Sequence, residues 1–155
     1  MVFDPNYISL ATKPTRSTPG GRASGVGKMH EDAIVSHLMH FKLDYKQQVH
    51  FPGIYPGRKT RVDFLVTGIP PWEEGLIIES KYQGSPGSAD EKFPYMVANI
   101  KEKYPHPCVI LYSLDGAGRG ALEWLLSQKD GVRLIEIIKY DKFPTWLYER
   151  MRPYE

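Results

Sequence analysis

Two rhythms of apolar and polar residues run along this chain. Residues 28–41, KMHEDAIVSHLMHF, place Ala33, Ile34, Leu38 and Phe41, with His37 among them, at three- and four-residue intervals, which predicts a helix. Residues 45–51, YKQQVHF, alternate as a strand does, and PGIYPG follows as a turn. Two apolar runs then flank the turn PPWEEG: RVDFLV, which carries Asp63, and LIIESKYQ, which carries Glu79 and Lys81. Ser88 and Glu91 have the spacing of a capping box, so a helix is expected from there to about Tyr104, interrupted or restarted near Pro94. Residues 108–114, CVILYSL, predict a buried strand, and ALEWLLSQ predicts a helix. Residues 132–140, VRLIEIIKY, predict a last strand with Val132, Leu134 and Ile137–Ile138 on its apolar side. FPTWLYERM predicts a short terminal helix. The order is helix, three strands, helix, strand, helix, strand, helix. It implies an α/β fold with a central mixed sheet of about five strands flanked by helices, the Asp63 and Glu79 strands at its centre.

Composition adds bounds. The 155 residues, 41% hydrophobic and 25% charged, suit one domain with a real core. Residues 1–27 are rich in Gly, Pro, Ser and Thr, with Lys13, Arg16 and Arg22 among them, and are read as an N-terminal arm ahead of a domain over 28–155. The arm is either a solvated tail or a basic segment for phosphates. A net charge of +2 announces no global basic field, so local clusters must carry any nucleic-acid reading. Cys108 is the single cysteine, which excludes an internal disulfide; it reads as a small buried hydrophobe and fits a reducing compartment. Without a secretory pattern at the N-terminus or a long apolar run, an intracellular, cytoplasmic protein is expected.

Two motifs fail. GRASGVGK misses the phosphate-loop pattern in glycine spacing and has Met29 where Ser or Thr belongs. His30, His37 and His40 lack the companions of a zinc set, and His37 reads as packed or capped.

The chemistry lies in Asp63 and in Glu79-x-Lys81. On a strand, Glu79 and Lys81 project from the same side. Burying them in LIIESKYQ is costly unless they are paired or bind a ligand. Two carboxylates in one cleft repel each other, so a hard divalent cation fits between them, and a nearby lysine can orient water and neutralise developing charge. A strand salt bridge with Lys81 or Arg61 is the plain alternative.

These residues, V-D followed by E-S-K, resemble the motif of the PD-(D/E)XK nuclease superfamily, and the element order over about 25–140 resembles its core. The resemblance implies a restriction-endonuclease-like fold and a Mg²⁺-dependent DNA endonuclease, with Mn²⁺ able to substitute. It makes Asp63, Glu79 and the Ser80 backbone carbonyl metal ligands, and gives Lys81 the nucleophilic water. Glu31 stands where some branches place a further glutamate, although it also suits the first turn of a helix as a dipole partner. Gln83 resembles the glutamine of the E-x-K-x-Q variant, or is a polar strand end. Val62 replaces the proline of the name.

Arg58, Lys59 and Arg61, with Lys28 and Arg22, are the candidate phosphate contacts on double-stranded DNA. Gln47, His50 and the loop 53–60 are candidates for groove readout, since the ribbon 45–66 is of a size to enter a major groove. One site per chain cuts one strand, so double-strand cleavage implies a homodimer or homotetramer. Trp146, Tyr148 and Tyr154 are candidates for that interface, or for core. Site-specific cleavage of restriction or homing type is the first expectation. A structure-selective nuclease such as a junction resolvase, and a non-catalytic DNA-binding module, are the alternatives.

Overall fold

The structure, a computed structural model, describes residues 19–85 and 89–154. Its elements follow the predicted order: α1 (Pro19–His40), β1 (Asp44–Pro52), β2 (Lys59–Thr67), β3 (Leu76–Tyr82), α2 (Ala89–Glu102), β4 (Cys108–Ser113), α3 (Arg119–Ser127), β5 (Leu134–Lys139) and α4 (Phe143–Met151). The sheet runs β1-β2-β3-β4-β5. β1, β2 and β3 pair antiparallel, whereas β3, β4 and β5 pair parallel. β3 is therefore central and joins the two halves.

Each face of the sheet has its own core. Ile34 and Leu38 of α1 and Leu147 of α4 pack with Phe64, Val66, Ile78 and Leu111 on one face. Phe93, Val97 and Ile100 of α2 and Leu125 of α3 pack with Ile77, Cys108 and Ile110 on the other. Leu38, Phe64, Ile77, Ile78, Cys108 and Leu125 are fully buried. β3 and β4 are covered on both faces, and for that reason read as continuous apolar runs.

Three local expectations are corrected. The first helix begins at Pro19, so GRASGVGK and the last third of the predicted arm are helical. Residues 1–18, with Lys13 and Arg16, and Ser88 lie outside the described residues. α2 runs unbroken through Pro94, whose ring is exposed. Burial of Phe93, Met96, Val97 and Ile100 outweighs the ~3 kcal/mol that an interior proline costs. Val132 is 71% exposed and precedes β5. The Asp130 Oδ1 caps the Val132, Arg133 and Leu134 amides at 2.8, 2.8 and 3.0 Å, which turns Val132 outward. Of the three aromatics left open between interface and core, Trp146 is core, stacked between Trp72 and Phe143, Tyr148 is half-buried, and the Tyr154 side chain lies outside what is described.

The β1–β2 hairpin leaves the sheet before its tip. Phe64 and Val66 pack in the α1 layer, but Val62, of the same strand parity, packs in the α2 layer with Val49 and Phe51 beside it. The ribbon thus rolls over between residues 62 and 64. Its tip then seats on α2: Asn99 Oδ1 accepts the Ile54 N–H at 2.7 Å, and Tyr55 stacks on Tyr95. Gly57, at φ +77°, makes the turn, in a region that favours glycine.

Candidate active site

The β2–β3 ladder ends at the pair Phe64↔Ile78. Asp63 and Glu79 would form the next pair, but the strands part there. Side chains take over from the backbone. The Asp63 N–H donates to Glu79 Oε1 at 3.0 Å, and the Ser80 N–H donates to Asp63 Oδ2 at 2.7 Å. These bonds satisfy the two amides that the parting strands leave behind.

The Ser80 carbonyl faces the same gap. Ile77 and Gln83 donate their amides to Pro107 and Ser113, on the β4 side. Residues of the opposite parity, Ser80 among them, turn their amide and carbonyl toward β2. Ser80 O therefore faces the gap between β2 and β3.

Lys81 Nζ lies 3.5 Å from Glu79 Oε2. Glu79 is 3% exposed. Burial pushes its carboxyl up to about 7; Lys81 opposes that shift and Asp63 adds to it. For Lys81, burial pulls the ammonium down, but Glu79 and Asp63 overcome it, so Lys81 is held above the usual lysine range.

α1 brings Glu31 to the same place. Its carboxyl is raised by burial and by the Asp63 carboxylate. Gln48 Nε2 donates to Glu31 Oε1 at 3.2 Å. Gln48 lies opposite Asp63, between the pairs Gln47↔Phe64 and Val49↔Val62, and has a left-handed φ of +56°. Such strain in a non-glycine residue gathers at functional sites.

Gln83 takes another course. It is buried just past β3, and its Nε2 donates to the Ser85 and Gly116 carbonyls at 3.2 and 3.4 Å. The Gly116 amide returns a bond to Gln83 O at 2.8 Å. A Cβ on Gly116 would lie 2.3 Å from the Ser85 amide nitrogen, so only glycine fits this clasp between the loops after β3 and β4.

The cationic candidates lie on the surface. Arg58, Lys59 and Arg61 are exposed at the mouth of the hairpin, as are Gln47 and His50. Lys28 is exposed and pairs with Asp32 at 3.0 Å. The Arg22 side chain lies outside what is described.

Two residues near the site were not anticipated. One is Gln48, and the other is Tyr140, whose hydroxyl lies 2.6 Å from Ser80 Oγ and whose ring stacks on His30. Neither has a local signature. Polar residues are ordinary at positions 48 and 140, and only the fold brings them to Glu31 and Ser80.

Among the described residues no three His, Cys, Asp or Glu side chains form a preset ion cage. The carboxylates instead face backbone amides. The donor chemistry still suits a hard cation: Asp63, Glu79 and the Ser80 carbonyl are oxygen donors at the gap, with Glu31 beside them. The Asp63 carboxylate raises the cost of ionising both Glu31 and Glu79, and Lys81 opposes this at Glu79 as Arg61 does at Glu31. Asp63, Glu79 and Ser80 O would hold the ion.

The family described as the PD-(D/E)XK nuclease superfamily domain matches residues 22–151 of the chain. Comparison with curated proteins and with solved structures gave no match.

Proposed function

This chain belongs to the PD-(D/E)XK nuclease superfamily, and from that membership we propose that it is a divalent-metal-dependent DNA endonuclease that uses Mg²⁺ or Mn²⁺. The observation that carries this reading is the meeting of Asp63, Glu79 and Lys81 where β2 and β3 part. Bound there, a divalent cation supplies Lewis-acid neutralisation of charge on a scissile phosphate. Lys81 stands at the rim, about one third exposed, where it can orient water and meet charge on the phosphate. Glu79, raised by burial, must lose its proton to serve as a ligand. Glu31, steadied by Gln48, can hold a water or a proton at the same cleft. Arg58, Lys59 and Arg61 lie on the strand leading to Asp63 or just before it, exposed to phosphates on either side of the cut.

Among DNA substrates, the hairpin supports one choice over the other. Site-specific cleavage through a ribbon in the major groove needs a free tip. Here the tip is seated on α2 through Asn99 and Tyr95, which favours structure-selective cleavage. Cutting both strands would still need two copies of the chain.

Incubation with supercoiled plasmid, a forked duplex and a four-way junction, with Mg²⁺, Mn²⁺ or chelator, tests the proposal. Nicking that needs the ion, and that Asp63→Ala and Glu79→Ala abolish without loss of DNA binding, supports it. Absence of ion-dependent cleavage on every substrate leaves a binding module. An RNA hairpin in parallel separates DNA from RNA specificity.

A further inference from the structure

Beside the carboxylates lies a cavity of about 340 Å³ that none of the residues assigned to hydrolysis lines. It sits at the carboxyl ends of β4 and β5, which is where open α/β sheets bind ligands. Two of its walls adjoin the active strand. Tyr112 pairs with Lys81 in the β3–β4 register, and Tyr140 meets the Ser80 hydroxyl. The Tyr140 ring stacks face to face on His30, with centroids 3.9 Å apart and planes 6° from parallel. Leu122 of α3 adds an apolar wall.

The charges around the cavity exclude one obvious occupant. Asp115 and Asp141 face a single ammonium, Lys139, so a phosphate would meet net repulsion. A flat ring whose edge carries amino donors meets none. Aromatic walls stack such a ring, and carboxylates accept its exocyclic amines.

We propose that this cavity holds an unpaired nucleobase of the DNA strand being cut, drawn out beside the scissile phosphate. The proposal rests on the endonuclease reading and narrows its substrate to DNA with unpaired bases next to the cut. A base stacked and paired inside a duplex has no access to the cavity without first being extruded. Forks, flaps and junction centres offer such bases already free.

The test uses the full chain with Ca²⁺ in place of Mg²⁺, so that binding is read without cleavage. A forked duplex carrying 5-iodocytosine, whose exocyclic amine suits the carboxylates, at its first unpaired position is irradiated, and the cross-link is mapped by mass spectrometry. The expected adduct is on His30, Tyr112 or Tyr140. Fluorescence anisotropy should give at least fivefold tighter binding to the fork than to its fully paired counterpart, on the scale of one base–aromatic stack. His30→Ala removes part of the stack, and Leu122→Trp fills the cavity from α3. Each should bring the ratio toward one. Should one variant fail to fold, the other carries the comparison. Equal binding of fork and duplex by the wild-type chain, a ratio that survives the substitutions, or a cross-link absent or mapped to the hairpin overturns the proposal. Cleavage plays no part in these readouts, so a chain that binds forks without cutting would refute the nuclease reading and leave the base site standing.

Discussion

The backbone amide of Asp63 is bound by the carboxylate of Glu79 at 3.0 Å, at the point where their strands cease to pair. Asp63 in turn spends its own carboxylate on the amide of Ser80. Each acid thereby holds open the gap between β2 and β3 in which an ion and a phosphate could meet. The same bonds fix the distance between the acids before any ion arrives, a form of preorganisation.

Removal of either acid should therefore stop the chemistry and leave the fold. Asp63→Asn and Glu79→Gln keep an oxygen for the amide each now holds. Both should lower the cleavage rate by roughly 10²–10³-fold or more. Circular dichroism should be unchanged. Lys81→Met should cost about 10²-fold in rate while leaving DNA affinity nearly intact. Cleavage at wild-type rate in any of the three would refute the assignment.

Stability should vary with pH in a direction that Glu79 dictates. Its folded pKa is near 7, against an ordinary value of 4.5. Between those values the folded chain keeps a proton that the unfolded chain has released. Stability contributed by this group is thus greatest below pH 4.5 and is lost as pH rises to 7, by about 3 kcal/mol at most. Thermal melts in chelator should show Glu79→Gln with a shallower decline in Tm from pH 5 to 8 than wild type. Mg²⁺ or Mn²⁺, which favours the ionised form, should raise the wild-type Tm more at pH 8 than at pH 5.5. Parallel pH curves for wild type and variant would count against it.

Gln48 offers a test that separates strain from function. Its φ of +56° suits glycine, so Gln48→Gly relieves the backbone but removes the amide that holds Glu31. The variant should be as stable as wild type, or up to ~1 kcal/mol more stable. It should nevertheless cleave about tenfold more slowly, since Glu31 is no longer positioned. Gln48→Ala should lose rate to the same degree but be less stable than Gln48→Gly. Equal rates for wild type and both variants would assign Gln48 to the surface alone.

Asn99 anchors the hairpin tip. It is 1% exposed, and its side-chain oxygen takes the Ile54 amide at 2.7 Å. Asn99→Ala should cost about 1–3 kcal/mol, read by chemical denaturation. Hydrogen exchange at Ile54 and its neighbours should quicken more than exchange in β4. Unaltered protection at the tip would show that Tyr55 and Tyr95 suffice.

The carboxylates were legible because each interrupts a short apolar run, and a lone charge in such a run demands a partner or a ligand. Helix and strand order were legible for a related reason: periodicity is a property of neighbours in the chain. Gln48 and Tyr140 were not legible, since their partners lie 17 and 60 positions away. Val132 was misplaced because its apolar side chain fits a strand pattern, while three amides captured by Asp130 turn it to solvent. Gln83 shared the parity of Lys81, yet the loop at Gly116 claims its amide.

Residue pattern alone dictated the order of the four α-helices and five strands of the described residues, and the three charged groups around which the sheet is centred. Packing settled the rest. It decided that the acids grip backbone amides, that Pro94 stays within a helix, that Trp146 joins the core and that the ribbon rolls over onto α2. The cause is one of range. Side-chain rhythm acts over a few residues, whereas burial and register are settled only when distant segments compete for the same core.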